Sequence, residues 1–269
     1  MNLKTKIISI TNQKGGVGKT TTAINLATAL AAIGKKILII DFDPQGNAST
    51  GVGVLHTNRT TDIYTLLFDQ SVAGECIQAT KIENLDVIPA SINLSAAEVE
   101  LAQTDGKNFQ LKKILDGHIF AKYDYIFIDC PPALGFLTVN SLAASDSVLI
   151  PLQCEFFALE GVSNLVNTIK LVQENLNPAL VIEGVVLTMS DRRNSLSSLV
   201  ENDVRECFGE AVFKTVIPRN VRISEAPSHG KPVILYDINC VGSQSYISLA
   251  AEFITRENKR ANTQLAAAA

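Results

Sequence analysis

The chain has 269 residues, of which 46% are hydrophobic, and a formal net charge of −4 at pH 7. This length and apolar share are sufficient for one large α/β core, while the negative net charge excludes a protein that coats nucleic acid through its bulk charge. No run approaches the roughly 18 consecutive apolar residues of a membrane span and no signal peptide precedes the first predicted strand, so we expect neither stable membrane insertion nor export.

Five cysteines are present, and no two of them have the C-x-x-C spacing of a metal or redox motif. Their odd number and scattered positions predict reduced, mostly buried thiols in a reducing compartment. We therefore expect a cytoplasmic protein.

The first predicted strand leads directly into a glycine-rich segment. The apolar run Ile7–Ile10 is followed by residues 14–20, which read KGGVGKT, and then by a helical pattern. Such a segment binds a triphosphate, because small residues let backbone N–H groups surround the phosphates and the positive helix N-terminus faces them. Lys19 can then reach the β- and γ-phosphates, and the Thr20 hydroxyl can hold Mg²⁺. The residues predicted to bind the nucleotide here are Lys14, Gly15, Gly16, Val17, Gly18, Lys19, Thr20 and Thr21.

The loop departs from the ordinary P-loop pattern at two positions. Gln13 stands where that pattern has its first glycine, and Lys14 adds a second lysine. In this the segment resembles the deviant Walker A group, which includes ParA/Soj partition ATPases, MinD-like regulators and the iron protein of nitrogenase. The resemblance implies that Lys14 reaches across a dimer interface to the partner's nucleotide, as an arginine finger does. The alternative is a solvated lysine beside the phosphate site.

The rest of the chain alternates between strand-like and helical segments, without a break in composition that would mark a second domain. The predicted strands are Lys6–Thr11, Ile37–Phe42, Leu85–Pro89, Tyr125–Cys130, Ser147–Leu152, Ile182–Met189 and Val212–Pro218. The predicted helices include Thr20–Ala32, Ala96–Gln103, Leu159–Asn175 and Ser197–Phe208, and a last one whose apolar face contains Ile247, Ala250, Ala251 and Ile254.

This alternation predicts a doubly wound α/β fold, with a mostly parallel sheet, helices on both faces and the ligand at the carboxyl ends of the strands. We expect a single P-loop ATPase domain over residues 1–255. The polar and alanine-rich tail, residues 256–269, is expected to be frayed.

Two predicted strands end in aspartate. The second leads into Asp41 and Asp43, and the fourth ends at Asp129, followed by a loop with two prolines and a glycine. A carboxylate at the end of a rigid apolar strand is what a Walker B motif needs to hold Mg²⁺, here through a metal-bound water. The loop after Asp129 suits a segment that responds to the γ-phosphate. An aspartate in this place can also cap a helix, but together with the P-loop it predicts a metal ligand.

Five blocks in chain order carry a resemblance to one family: QKGGVGKTTTAINLA, DFDPQGNAST, NLDVIPASINLSAAEVEL, YIFIDCPPALG and IPRNVRISEAPSHGKPV. They are similar to the blocks of the ParA/Soj chromosome-partition ATPases over nearly the whole chain, from Ile7 to about Phe253. The last block distinguishes this family from MinD-like proteins and nitrogenase iron proteins, which share the earlier blocks in some form.

The resemblance implies roles for further residues. Asp43 orients or activates the attacking water and joins Thr20 and Asp129 around the metal. Pro218 and its neighbour Asn220 lie near the adenine, which indicates ATP. The implied ligands are therefore ATP and Mg²⁺, with Lys14, Lys19 and Asp43 as the catalytic residues.

The implied activity is slow ATP hydrolysis that acts as a timer for the partition of chromosome or plasmid DNA. An ATP-bound homodimer would bind duplex DNA non-specifically at the nucleoid, and a ParB-like centromere-binding partner would stimulate hydrolysis. In the family, arginines matching Arg193 and Arg222 contact DNA; the alternative is that they are ordinary surface arginines or salt-bridge partners. The cations near predicted loops in the last third of the chain are Arg192, Arg193, Lys214, Arg219, Arg222 and Lys231.

Two other classes of function stay open on the sequence. A MinD-like membrane-cycling regulator of division needs a basic amphipathic C-terminal helix, but residues 255–269 offer Arg256, Lys259 and Arg260 with almost no large apolar residue. An electron-transfer reductase with an iron–sulfur cluster at a dimer interface needs two well-placed cysteines, for which Cys130 and Cys154 are the candidates.

Overall fold

The computed structural model describes residues 5–155, 158–191 and 193–268. Its centre is a seven-stranded sheet in the order β3-β4-β2-β5-β1-β6-β7. All neighbouring strands are parallel except β3, which pairs antiparallel with β4 at one edge. The strands are β1 (Lys6–Ile10), β2 (Ile37–Asp41), β3 (Gln78–Ala79), β4 (Leu85–Ile88), β5 (Tyr125–Asp129), β6 (Ser147–Gln153) and β7 (Val181–Thr188). The doubly wound, mostly parallel α/β fold is confirmed.

Helices connect the strands and cover both faces of the sheet. The α-helices are α1 (Lys19–Ala32), α2 (Asn47–Gly51), α3 (Ile63–Phe68), α4 (Ala73–Cys76), α5 (Ala97–Glu100), α6 (Gln110–Leu115), α7 (Phe136–Ala144), α8 (Ala158–Asn175), α9 (Ser195–Phe208), α10 (Val221–Glu225), α11 (Val233–Tyr236) and α12 (Val241–Ala268). Short 3₁₀ helices lie at His56–Asn58, Gln70–Val72, Ile92–Ala96, Lys107–Phe109, His118–Lys122, Gly209–Ala211 and Ala226–His229. None of the helices in the described part of the chain is both long and apolar enough to cross a membrane.

The central strands are buried on both faces because their side chains alternate between two apolar layers. On one face, Phe127 packs with Tyr246 and Phe253 of α12 in a core that also contains the apolar residues of α1. On the other face, Ile126 and Leu38 pack against α3, α6 and α7. Burial of this kind supplies the main free energy that holds a parallel sheet together.

The register of the central strands places two aspartates side by side. Ile10 of β1 pairs with Asp129 of β5, and Asp129 pairs in turn with Asp41 of β2. All three residues lie at the carboxyl ends of their strands, next to the glycine-rich loop that follows β1. The fold therefore brings the predicted phosphate loop and the predicted metal ligand to one edge of the sheet.

The prediction of a strand over Val212–Pro218 is wrong. Only two isolated bridges form there within the described residues, Val185 to Val212 and Ser190 to Pro218. The physical reason is a competing acceptor, since the Glu252 carboxylate accepts the backbone N–H groups of Lys214 and Thr215 at 2.8 Å each. Backbone N–H groups that could have extended the sheet are thus hydrogen-bonded to a side chain of α12 instead.

The predicted helix Ala96–Gln103 is shorter than expected, since α5 ends at Glu100 and a 3₁₀ turn precedes it. In the C-terminal tail, α12 continues through Ala268, and the expected fraying from residue 256 stays a prediction. Two of its cations hold it to the body of the protein. Arg256 donates to the carbonyl oxygens of Glu210, Ala211 and Val212, and Arg260 pairs with Glu183.

Candidate nucleotide-binding site

The glycine-rich loop has the backbone that its sequence requires. Gly16 and Gly18 have φ values of 74° and 89°, in the left-handed region that favours glycine. At Gly18 the conformation is the constraint, because an added Cβ would meet Thr188 at an ordinary 3.7 Å. Gly18 is also the N-cap of α1 and supplies no side-chain cap. The first N–H groups of α1 are therefore left for an external anion.

Two side chains, Asn12 after β1 and Thr188 at the end of β7, fix the loop in place. Asn12 accepts the Lys14 N–H at 3.0 Å and donates to the Pro151 carbonyl at 2.8 Å. On the other side, the Thr188 hydroxyl donates to the Val17 carbonyl at 2.8 Å. These bonds tie the loop to β6 and β7, so its amides are held in place before any ligand binds.

Lys19 is a desolvated cation inside this loop. Its Nζ donates to the Lys14 carbonyl at 3.0 Å, and the residue is 6% exposed. Burial lowers the pKa of Lys19, although Asp129, Cys130 and Asp43 raise it in part. A cation held in this way is stabilised when an anion such as a phosphate group enters the site.

Asp129 is fully buried, and neither carboxylate oxygen accepts a hydrogen bond within 3.5 Å among the described residues. The pKa of Asp129 lies well above its ordinary value because of burial first and the charge of Asp41 second. The Thr20 hydroxyl and Lys19 lie near enough to favour the charged form in part. A buried carboxylate without partners is costly unless a cation completes its environment. This orphaned group beside Thr20 therefore fits a magnesium ion.

Within the described residues, no cluster of three or more His, Cys, Asp or Glu side chains could hold a metal unaided. A P-loop ion does not need such a cluster, because phosphate oxygens and waters complete its shell beside the few protein ligands, here predicted to be Thr20, Asp43 and Asp129.

Asp43 lies close to Lys19 and to Asp129. It is 8% exposed, and its charge acts on Lys19 and on Asp129. Its Oδ1 accepts the Gln45 N–H at 3.0 Å, and its carbonyl accepts the Gly46 N–H at 2.9 Å in a tight turn. The structure thus brings together Lys19, Thr20, Asp43 and Asp129, although the role of each stays a prediction.

Asp41, to which the sequence pattern assigns no role, is also a member of the site. It is fully buried at the end of β2, and its Oδ2 accepts both the N–H and the hydroxyl of Ser49 at 2.7 and 2.6 Å. Burial raises the pKa of Asp41 to about 6. The bonds to Ser49 fix α2 behind the Asp43 turn. The signal that could have revealed it is a strand-ending aspartate next to β5 in a parallel sheet, eight residues before a serine.

A pocket of about 270 Å³ opens beside the loop and includes Gly18 of the loop in its wall. Its walls also include Thr21, Pro218 and Asn220, with Tyr246 behind them. The predicted adenine neighbours and the phosphate loop therefore share one cavity.

Lys14 pairs with a residue of its own chain. Its Nζ lies 3.2 Å from the Glu155 carboxylate, and the two side chains are 37% and 49% exposed. Nothing in a single chain tests the expected contact with a partner's nucleotide, so that role stays a prediction. What the pair shows is that Lys14 must leave Glu155 before it can reach another subunit.

The two arginines predicted to bind DNA are on the surface and also paired. Arg193 forms two bonds of 3.0 Å to Asp191, holding the pKa of that carboxyl at about 2, and its side chain is 90% exposed. Arg222 lies 2.9 Å from Glu225 and 3.5 Å from Asp237. Arg192 lies outside the described residues. Both described guanidinium groups are exposed enough to exchange a carboxylate for a phosphate.

The two cysteines proposed for an iron–sulfur cluster are buried. Burial raises the pKa of Cys130 to about 12 and that of Cys154 to about 11. Cys130 also bonds with the Ser141 hydroxyl at 3.0 Å in the interior. Since a cluster needs accessible thiolates, the reductase alternative loses its support.

Parallel strands that deliver a glycine-rich loop, a desolvated lysine and an orphaned aspartate to one edge define the class of P-loop nucleotide-binding proteins. Residues 5–182 match the family described as "AAA domain". The chain is 55% identical over 256 residues to the chromosome partitioning protein ParA of Caulobacter vibrioides, covering 95% of this chain and 96% of that protein. It is 56% identical over 247 residues to the sporulation initiation inhibitor protein Soj of Bacillus subtilis, covering 92% and 97%.

A solved structure of the same fold is that of cobyrinic acid a,c-diamide synthase from Mycobacterium smegmatis with a bound ATP analogue and magnesium. It is 32% identical and superposes with a TM-score of 0.81 over 92% of this chain and 93% of that one. The identities to ParA and Soj over nearly the full length decide the family. This chain belongs to the ParA/Soj family of chromosome-partitioning proteins, as the sequence blocks predicted.

Proposed function

We propose that this protein is an ATPase that partitions chromosome or plasmid DNA. Its ATP-bound homodimer holds duplex DNA without sequence preference at the nucleoid, in the cytoplasm. A ParB-like partner stimulates hydrolysis and so releases the DNA. The observation that carries the proposal is the orphaned Asp129 carboxylate facing Lys19 and Thr20 at the phosphate loop.

Each of the site residues has its own role in hydrolysis. The loop amides and Lys19 fix the phosphates of ATP, and Thr20 and Asp129 hold Mg²⁺. Bound there, the ion offsets negative charge on the phosphate oxygens. Asp43, on its tight turn, orients the attacking water. Positioning and electrostatics account for most of the rate in reactions of this kind.

Dimerisation links the chemistry to the cargo. Lys14, released from Glu155, offsets the charge that develops on the nucleotide of the partner subunit. ATP then stabilises the dimer and ADP does not, so the two states differ in what they bind. Pairing also doubles the number of cations that meet DNA, so affinity rises steeply on dimerisation and falls steeply with salt.

The MinD-like alternative finds less support. A membrane-binding C-terminal helix needs a free basic face, but Arg256 and Arg260 are bound to carbonyl and carboxylate oxygens of the protein's own body.

The test uses Asp43→Ala, which we expect to bind ATP and dimerise without hydrolysing it. In that background, Arg193→Glu and Arg222→Glu should each abolish ATP-dependent retention on arbitrary duplex DNA while dimerisation survives. Lys112→Glu, with the same charge change on the exposed side of α6, serves as the matched control and should retain DNA. Undiminished retention by both arginine variants would remove them from the DNA-binding surface, and rapid phosphate release by Asp43→Ala would remove Asp43 from the mechanism.

A further inference from the structure

Arg59 is a buried arginine behind the turn that carries Asp43. The residue is 9% exposed, and all five of its N–H donors have acceptors. The contacts are Nε to Val54 O at 3.2 Å, Nη1 to Ala90 O at 2.9 Å and to His56 Nδ1 at 3.2 Å, and Nη2 to Gly46 O at 3.0 Å, Thr50 Oγ1 at 2.7 Å and Val54 O at 2.9 Å.

These acceptors are neutral. Among the described residues, no carboxylate lies within ion-pair distance of Arg59. Burial lowers the pKa of Arg59, while Asp41 and Asp62 raise it in part from farther away. A buried cation without a contacting anion costs free energy. What offsets this cost is the set of bonds to neutral acceptors, so the role of the guanidinium follows from what those bonds hold in place.

The segment around Arg59 is anchored on β4. The Ile63 N–H donates to the Pro89 carbonyl at 2.9 Å, and the Ser91 hydroxyl donates to Asp62 at 2.5 Å. With the Arg59 bond to Ala90, three consecutive residues after β4 hold this segment. Arg59 thus reaches the Asp43 turn from a rigid base.

What Arg59 holds is Gly46, the last residue of that turn. Gly46 has a φ of 64° and is the N-cap of α2, and its N–H closes the turn on the Asp43 carbonyl at 2.9 Å. A Cβ at Gly46 would lie 2.1 Å from Arg59 Nη1 and 2.9 Å from the Ala90 carbonyl oxygen. The turn is therefore packed directly against the guanidinium.

We propose that Arg59 is a positioning residue for ATP hydrolysis. It fastens the turn of residues 43–46 to the end of β4, so that the Asp43 carboxylate stays directed toward the attacking water. Arg59 itself touches neither the phosphate loop nor the residues predicted to hold Mg²⁺. This inference rests on the proposed ATPase activity and adds to it the residue that keeps Asp43 in place.

The experiment compares Arg59→Lys and Arg59→Met with the wild-type protein. Neither variant can reproduce the fork of bonds to Gly46, Thr50 and Ala90. We expect kcat at saturating ATP to fall about 10- to 100-fold, as small misplacements of catalytic groups do, while the Kd for ATP, measured by calorimetry, changes less than about 3-fold. A merely structural role would not separate kcat from Kd in this way.

Arg256→Lys is the matched control. Arg256 also binds three backbone carbonyls, but on α12, away from the nucleotide edge. The Arg256→Lys variant should lower the melting temperature about as much as the Arg59 variants do, and it should leave kcat unchanged. Gly46→Ala disturbs the same contact from the opposite side, so it should repeat the kcat loss if the Arg59 variants do not fold.

The outcomes separate the two proposals. If the wild-type protein hydrolyses ATP and all three variants at Arg59 and Gly46 keep its kcat, or lose kcat only in proportion to ATP affinity, the positioning role is overturned while the ATPase stands. If the wild-type protein does not hydrolyse ATP even with its DNA and protein partners, both proposals fail together.

Discussion

Two fully buried carboxylates in the same sheet have opposite surroundings. Glu183, in β7, accepts bonds from Lys6 at 2.6 Å, from Ser147 at 2.7 Å and from Arg260. Burial raises the pKa of Glu183, but these partners outweigh it and the pKa lies below the ordinary 4.5. Neither carboxylate oxygen of Asp129 accepts a well-formed hydrogen bond among the described residues, and its pKa is raised although Thr20 and Lys19 lower it in part. A buried carboxylate whose oxygens are hydrogen-bonded stabilises the fold, while one without hydrogen bonds marks a place where a cation can bind.

Glu183→Gln should give the largest effect. Loss of this charge leaves Lys6 and Arg260 facing a neutral amide, and we expect a loss of about 2–3 kcal/mol in the free energy of unfolding, less than for a fully dry pair because both cations are partly exposed. ATP affinity should not change. Glu201→Gln, which breaks a surface pair with Arg205, is the control and should cost under about 1 kcal/mol in urea denaturation. An equal cost in both variants would show that the bonds of Glu183 stabilise the protein no more than a partly exposed pair does.

Asp129→Asn should have the opposite effect, since it should weaken ATP binding without lowering stability. It removes a like charge from beside Asp41, so stability without nucleotide should stay constant or rise. The Kd for ATP measured with Mg²⁺ should weaken about 10- to 100-fold, as on loss of an outer-shell metal partner, whereas the Kd measured in EDTA should not change. Calorimetry with and without the metal makes this comparison, and an equal loss in both conditions would show that Asp129 does not act through the ion.

The pH dependence of stability should reflect the raised pKa of Asp41. Because its folded pKa, about 6, exceeds its ordinary 3.8, the stabilisation is complete below pH 3.8 and is lost as pH rises through 6. We expect Asp41→Asn to remove about 1–3 kcal/mol of that decline between pH 4 and pH 6. Glu183 acts with the opposite sign, since its contribution is complete above pH 4.5 and is lost as pH falls below that value. Denaturation series of wild type and Asp41→Asn across this range test it; identical slopes would contradict it.

Glu155→Gln should give the smallest effect. The pair of Lys14 with Glu155 is partly exposed and is worth about 1 kcal/mol or less. Its removal should lower the protein concentration at which ATP induces dimers by at most about 5-fold for each of the two pairs that a dimer breaks, without changing ATP affinity in dilute solution. Sedimentation velocity over a concentration series measures this shift. A higher concentration requirement would show that Glu155 assists dimerisation and does not restrain Lys14.

The sequence was most informative where chemistry is local. The spacing of KGGVGKT determines the left-handed glycines and the free start of α1. The apolar pattern before Asp129 predicts the strand β5 that ends at this residue. Long-range contacts could not be read in this way. Nothing near Val212 indicates that Glu252 captures the amides of the next segment, and Lys14 and Glu155 are 141 positions apart.

The burial of individual residues could not be predicted from the sequence either. Asp41 and Asp43 look alike in the chain, but the register of β2 against β5 buries Asp41 completely and leaves Asp43 at the site. Arg59 appears in the sequence as a polar loop residue, and only its six contacts distinguish it from a surface arginine. Such residues become visible when the sheet order is known, because it decides which strand ends are neighbours.

The most direct test of the ATP-dependent dimer is the mass of the Asp43→Ala variant by light scattering. The mass is measured in saturating ATP and Mg²⁺ and again in ADP and Mg²⁺. We predict twice the mass of one chain with ATP and the mass of one chain with ADP. Lys14→Ala in the same background should stay a single chain with ATP. A protein that remains single in saturating ATP and Mg²⁺ with Lys14 intact would contradict the proposed switch.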